Sequence, residues 1–295
     1  MEADTPKVSI IIPHYNQVKY LKRLLPSVAS QTFQDYEVII IDDFSPDRSA
    51  VGQIRELIKG YPKMRLVENA ENLRFVKTCN KGIELAKGDY VCLLNQDTEV
   101  KSSFVQRNIE IMDADSLIGG LSCIIVDKDG KNWFTGGRFD RGRPVNLVDD
   151  FEGIRTVDFV AGTACFYRKE IFDRIGLFEK DFVMYHEDIE FGLRMKAKTS
   201  YKACMFAEKL VVHYITASMP RGDFYYYANR NHMILVRRYS RKYISREILF
   251  LSVRTLWQIA NLLLLSVSKR DLKIVRGSWY AIKGTLDGLL QKQSN

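Results

Sequence analysis

The sequence predicts an α/β fold, a mostly parallel central sheet flanked by helices, with a C-terminal helical extension. Three observations carry this expectation. Over the first hundred residues, short β-branched runs alternate with segments of helical spacing, as in β-α-β units whose strands are covered on both faces. Polar residues gather directly after those runs, where parallel sheets present ligand groups at the strands' carboxyl ends. From Asp223 onward the pattern reads as helix throughout.

The strand-like runs are Val8–Ile12, Glu37–Ile41, Met64–Glu68 and Tyr90–Leu94. Between them lie helical spacings: Tyr20, Leu21, Leu24, Leu25 and Val28; then Ile54, Leu57 and Ile58; then Val76, Ile83, Leu85 and Ala86. Pro13-His14-Tyr15-Asn16 follows the first run, Asp42–Asp47 the second and Asn95-Gln96-Asp97 the fourth, so three strand ends bring three polar loops to one rim. The middle is less regular. Cys123–Val126 reads as a strand turning at Asp127–Lys131 into another. Thr135–Pro144 reads as a mobile, glycine-rich loop. Val157–Val160 and Ala164–Tyr167 read as strands flanking Gly162, and Lys169–Ile175 as a helix stopped by Gly176. A helix over Glu187–Lys198 and strands at Tyr201–Phe206 and Leu210–Tyr214 close this part.

With 295 residues, 46% hydrophobic and 27% charged, the composition is that of a globular chain and excludes wholesale disorder, collagen and low-complexity classes. Five cysteines, an odd number with no CxxC pair, support neither a disulfide framework nor a cysteine zinc site. Reduced thiols in a cytoplasmic protein are expected. Met1–Lys7 lacks the basic start and long apolar run of a signal peptide. Charge is uneven: from Arg221 on, fourteen Lys or Arg stand against four acids, a balance of +10 within a net +8, leaving the first 220 residues at −2. Such a tail faces nucleic acid, anionic lipid or water, and its apolar content favours lipid.

Four groups of residues can carry chemistry. Asp42 and Asp43 after a buried strand suit either a helix-capping turn or hydrogen bonds to a base or ribose, with nothing local to decide. Asn95-Gln96-Asp97 offers oxygen ligands for a hard divalent ion that also holds a diphosphate. His186-Glu187-Asp188 opens a helix, where acids serve as caps or as a general base. His213 ends a strand-like run, as a core histidine or as a group meeting metal or phosphate. No GxGxxG, GxxxxGK[ST], HExxH or GxSxG occurs, which removes the main support for dinucleotide oxidoreductases, P-loop NTPases, zincins and serine hydrolases. Pattern alone reaches an α/β enzyme for a nucleotide or phosphate ligand with a divalent ion.

Taken together, the segments resemble family 2 glycosyltransferases, inverting enzymes of the Rossmann-like GT-A fold that use nucleotide-diphospho sugars. Val8–Asn16 (VSIIIPHYN) is similar to that family's entry strand and loop, continued in order by Leu24–Val28, Gln31–Phe33 and Glu37–Asp43. Asn72–Phe75, Asn80–Gly82 and Ala86–Tyr90 lead to Asn95–Asp97, which resembles the DxD motif in the NxD form of rhamnosyltransferase-like members. Phe159–Thr163 and Gly176–Glu179 precede Tyr185–Asp188, similar to the acceptor-side acidic motif. His213 with Ala217 and Ser218 matches a histidine near the diphosphate, and Asn229–Asn231 with Leu235–Tyr239 resembles a helical segment of the same subgroup. The resemblance covers about Lys7 to Tyr239.

It implies donor-side roles for Pro13, Tyr15, Asn16, Asp42, Asp43, Asn72, Asn80, Asn95, Gln96 and Asp97, with Asp42 or Asp43 at the uracil or thymine and ribose of a UDP- or dTDP-sugar. Asp97 and His213 would hold a divalent metal, Mn or Mg. Asp188 would be the catalytic base, with Glu187 and His186 on the acceptor side. Two positions depart from the pattern: Arg74 stands where many members have glycine, and Asn95 replaces the first Asp of a full DxD.

The implied organisation is a catalytic domain over 1–220, with a donor half of about 1–120 and an acceptor half of about 121–220. A basic, amphipathic helical tail follows over 221–295. Ile248–Ser268 is apolar but interrupted by Arg254, Gln258 and Asn261 on one stripe, which suits a helix lying in the membrane plane rather than spanning it. Basic flanks and Trp257, Trp279 and Tyr280 suit anionic headgroups. The other reading is a helix packed on the catalytic domain or across a homodimer. The expected function is sugar transfer to a glycan or lipid-linked glycan, with no nucleic-acid partner, on the cytoplasmic face of the plasma membrane. Alternatives are a sugar nucleotidyltransferase, which would want a glycine- and basic-rich loop after the first strand, and a non-catalytic, membrane-associated relative.

Overall fold

A computed structural model describes residues 5–214, 221–253, 256–257 and 273–290. They fall into two compact units. The first comprises the described residues of Met1–Arg138, Asn146–Val183 and Glu187–Thr216; the second comprises those of Phe139–Val145, Met184–His186 and Ala217–Asn295.

The first unit is built on one sheet. Its opening half alternates β1 (Val8–His14), α1 (Val18–Ala29), β2 (Tyr36–Asp42), α2 (Ser49–Ile58), β3 (Met64–Glu68), α3 (Arg74–Leu85) and β4 (Tyr90–Leu94). Every residue of β1 and β4 is buried, as strands with helices on both faces require. In α1 the buried Val18, Leu21, Leu24, Leu25 and Val28 repeat every three or four residues and form one core-facing stripe. Helix α3 approaches the sheet so closely that a Cβ on Gly82 would collide with Ile11 and Ile41.

The rest of the chain to His213 adds β5 (Thr98–Val100), α4 (Phe104–Ala114), β6 (Ile118–Asp127), β7 (Asn132–Phe134), β8 (Gly136–Asp140), β9 (Arg143–Leu147), β10 (Ile154–Val157), β11 (Ala164–Arg168), α5 (Lys169–Ile175), α6 (Glu187–Lys198) and β12 (Lys202–His213); β8 and β9 form a separate two-stranded sheet, and Phe139–Val145 within it belong to the second unit. The strand order is β10-β12-β6-β11-β4-β1-β2-β3, with β5 on β12 and β7 on β6. Strands β3, β2, β1 and β4 run parallel, as do β6 and β12, and β11 lies antiparallel between β4 and β6. The chain therefore reverses its direction of travel across the sheet between β1 and β4, the kind of switch point where α/β sheets take ligands.

Three expectations are corrected. Thr135–Pro144 is not a loose loop: β8 and β9 pair, turning at Arg141 and Gly142, whose φ of 48° and 89° fit a two-residue hairpin turn. The strand expected at Val157–Val160 lies earlier, over Ile154–Val157. The two strands expected at Tyr201–Tyr214 are one, β12, irregular in register around Phe206–Val211. Helix α5 ends at Gly176, φ 83°, as expected. All five cysteines are buried and unpaired.

The second unit contains α7 (Arg221–Tyr239), α8 (244–253) and α9 (Lys273–Leu290). Within it the fully buried Glu247 carboxylate accepts from Arg143, the first residue of β9, and from Arg246, with His232 Nε2 3.3 Å away. Burial opposes its charge, but the hydrogen bonds from Arg143 and Arg246 prevail and hold the carboxyl below its ordinary range. The expected stripe Arg254–Gln258–Asn261 lies outside the described residues, as do Ala217 and Ser218. Among the described residues no helix is long and apolar enough to cross a membrane.

Candidate active site

Sheet topology brings five segments of the first unit to one rim. β1, β2 and β4 end there because they are parallel; β11 starts there because it is antiparallel to β4; β12 ends there because it follows β6. The rim thus holds His14–Asn16, Asp42–Ser45, Asn95–Asp97, Gly162–Thr163 and His213.

Hydrogen bonds lock these segments together. His14, expected on the rim with its loop but given no role there, is fully buried: its Nδ1 donates to Gln96 Oε1 at 2.6 Å, and its Nε2 lies 3.9 Å from Asp42 Oδ1. An amide oxygen can only accept, so Nδ1 carries the proton. Burial lowers the His14 pKa, against the pull of Gln96 and Asp42. Tyr15 N also donates to Gln96 Oε1, and Asn16 N donates to Ser45 Oγ. Asn95 N donates to Thr163 O at 2.8 Å, and Tyr214 N donates to Asp97 O at 2.8 Å.

The two aspartates after β2 differ in their partners. Asp42 is buried and accepts Ser45 Oγ and Ser45 N. Asp43 accepts Asn69 Nδ2, Leu73 N and Arg74 N, all between 2.8 and 2.9 Å, so a carboxylate from another loop caps helix α3. Arg74 has φ 68°, a left-handed conformation natural to glycine. Asn72 Oδ1 also accepts Arg74 N. Asn80 is buried and engaged at both ends of its amide by the main chain of Phe178. Pro13 lies within β1, opposite Ile41, whereas Tyr15 is exposed.

On the far side of β4, His213 Nε2 faces Asp97 Oδ1 at 3.4 Å, and the Trp133 ring stands edge-on to the imidazole with centroids 4.5 Å apart. His213 Nδ1 is buried without a partner. Among the described residues no group of three or more His, Cys, Asp or Glu forms a metal cluster. A carboxylate and an imidazole nonetheless fit a divalent ion that keeps waters and takes its remaining ligands from diphosphate oxygens. Asp97 and His213 would be those two protein ligands.

Asp188 sits at the start of α6, where Gly162 N and Ile189 N donate to its two oxygens at 3.0 and 2.8 Å. Glu187 is buried, and its Oε2 has no partner. Burial raises both carboxyls: Glu187, next to the Asp188 charge, to about 8, and Asp188 against the lowering effect of the two amides. A raised carboxyl near neutrality is suited to moving a proton. His186 belongs to the second unit, with its ring 6.3 Å from that of His232.

Residues 9–176 match the family model described as Glycosyl transferase family 2. The amylovoran biosynthesis glycosyltransferase AmsB of Erwinia amylovora is 27% identical over 222 residues, covering 74% of this chain and 69% of AmsB. Among solved structures, S. aureus TarS 1–349 in complex with UDP-GlcNAc aligns at TM-score 0.61 and 18% identity, over 96% of this chain and 89% of that one. GalNAc-T7 with UDP, GalNAc and Mn2+ aligns at TM-score 0.66 and 18% identity, over 82% of this chain and 50% of that one. At such identities the likeness is one of fold, the GT-A arrangement expected from the sequence.

Proposed function

The chain belongs to glycosyl transferase family 2, and on that premise we propose that it moves a sugar from a UDP- or dTDP-linked donor, with inversion, onto a hydroxyl of a glycan or lipid-linked glycan in bacterial polysaccharide synthesis. The observation that carries this reading is the short path between donor and acceptor groups: Asp188 accepts Gly162 N, and the next residue, Thr163, accepts Asn95 N on the Asp97 loop. The name of AmsB supports the pathway, and the UDP-GlcNAc bound by TarS supports the donor class. Asn95 in place of a first acid favours the rhamnosyltransferase-like subgroup.

In this reading Asp188 takes the proton from the acceptor hydroxyl as its oxygen attacks the anomeric carbon opposite the leaving group. The Gly162 and Ile189 amides hold the carboxylate in one orientation, and holding the partners in line contributes much of the acceleration. Asp97 and His213 would hold Mn or Mg, which when bound neutralises charge on the departing nucleoside diphosphate. A thermal-shift screen of nucleoside diphosphates with and without Mn, followed by transfer assays with the matching sugars, tests the reading. Stabilisation by UDP or dTDP that needs Mn is expected; no response to any nucleoside diphosphate overturns it.

The tail reading continues from the same premise: α8 meets an anionic lipid surface from the cytoplasmic side. Leu249 and Val253, four residues apart on one face of α8, are each more than half exposed, as are Leu256 and Trp257, with Arg241 and Lys242 exposed just before α8. That combination suits an interfacial helix. Flotation with phosphatidylglycerol vesicles tests it: Trp257→Asp should leave the protein unbound, and equal recovery of both forms in the soluble fraction overturns it.

A further inference from the structure

The backbone immediately before Glu187 and Asp188 is unusual. Val183, Tyr185 and His186 have φ of 58°, 65° and 67°. None is glycine, and Val183 is β-branched, for which a positive φ is a genuine outlier. Such conformations persist only where the surroundings enforce them, and they concentrate at functional sites. Within the second unit the enforcing group is on α7. Asn231, fully buried, donates from its single amide nitrogen to Met184 O at 2.9 Å and to Tyr185 O at 2.8 Å.

Helix α7 supports the turn over two of its turns. Phe224 and Asn231 are seven residues apart and so share a face. The Phe224 ring stands edge-on to Tyr185 at 5.2 Å, and the ring of His232 lies 6.3 Å from that of His186. We propose that Asn231 is a positioning residue for transfer: by holding both carbonyls of the turn, it fixes the backbone conformation of the segment that runs by one peptide bond into Glu187. The inference rests on the reading of Asp188 as base, and it concerns a residue whose amide nitrogen is given to two main-chain carbonyls.

The chemistry of the side chain explains the choice of asparagine. Two adjacent carbonyls need two N–H donors on one short planar group. Aspartate would set lone pairs against both oxygens, leucine would remove both hydrogen bonds, and glutamine could reach them with one more methylene. The turn leads by covalent chain into Glu187, so a slack turn lets the acidic pair shift, and a shift of about 1 Å at a reacting group can lower turnover about 100-fold.

The test pairs amide hydrogen exchange with kinetics on the full chain, comparing Asn231→Asp, Asn231→Gln and Asp188→Asn. In Asn231→Asp, exchange at residues 183–188 should quicken about tenfold or more while the β1 and β4 amides stay protected. The kcat for transfer should fall about 100-fold with donor Kd and KM within about twofold, and Asn231→Gln should recover part of both effects. Unchanged exchange at 183–188 overturns the proposal, and so does a kcat loss matched by an equal loss of donor binding. If Asn231→Asp fails to fold, Asn231→Gln alone decides on the same two readouts. If Asp188→Asn keeps its turnover while Asn231→Asp still loosens the turn, it is the base assignment that fails.

Discussion

His213 Nε2 lies 3.4 Å from Asp97 Oδ1, a pairing made by two strand ends. His213 closes β12, Asp97 follows β4, and the hydrogen bond from Tyr214 N to Asp97 O clips the segments together. A carboxylate and an imidazole nitrogen at this spacing suit a cation shared with a diphosphate. Asp97→Ala and His213→Ala should each weaken UDP-sugar binding about tenfold or more in the presence of Mn, and should flatten the dependence of thermal stability on Mn plus UDP. Calorimetric titration at fixed Mn checks this; an unchanged donor affinity in Asp97→Ala would contradict the metal role.

Asp188 presents the second expectation. Its oxygens accept two amide N–H groups; Asp188→Asn keeps the size of the side chain but loses the proton acceptor and, with one oxygen left, one of those two hydrogen bonds. Loss of a general base lowers kcat by about 100- to 10,000-fold. Donor Kd should stay within about twofold, because the interaction lost is one made only in the transition state. Steady-state kinetics beside equilibrium donor binding separates the two, and near wild-type turnover would remove Asp188 from the role.

Much of the first half was legible because parallel strands buried on both faces read as unbroken apolar runs; Tyr90–Leu94 matches β4, and Val8–Ile12 falls within β1. Later elements were harder to read. Glu208 and Lys209 interrupt the apolar run of β12 where its register slips, so one strand looks like two. The hairpin β8–β9 hides behind glycines that resemble a loop. The partners of Asp43 cannot be read from spacing, since they are amides some thirty positions away. The turn at Val183–His186 carries no glycine to announce its left-handed backbone, so the part of Asn231 appears only in three dimensions.

Arg74 tests the strain argument at an exposed position. Its φ is 68°, and its main-chain N–H, rather than its side chain, bonds Asp43. Glycine keeps that bond and removes the steric penalty of about 1–2 kcal/mol, offset by about 0.5–1 kcal/mol of backbone entropy. Arg74→Gly should therefore leave stability unchanged or raise it by up to about 1 kcal/mol in urea melts. Lys77→Gly, on the exposed side of the same helix, should lower it by about 1 kcal/mol. Equal losses for both variants would contradict the strain at Arg74.

Glu187 ties stability to pH. Burial, and then the neighbouring Asp188 charge, push its carboxyl from 4.5 to about 8. A carboxyl raised in the folded state binds a proton there more tightly than in the unfolded chain, so its contribution to stability is complete below the unfolded pKa and is lost as pH rises through the folded one. Between about pH 5 and pH 8 the wild type should lose stability steadily on this account. Glu187→Gln carries no titrating proton and should lose less over the same window, retaining only the smaller slope left by Asp188, whose carboxyl is raised by burial as well. The two stability curves should therefore draw together or cross in favour of Gln as the solution becomes alkaline. Urea melts of both proteins at several pH values measure the slopes, and parallel slopes would mean that Glu187 is ionised and solvated like an ordinary surface carboxylate.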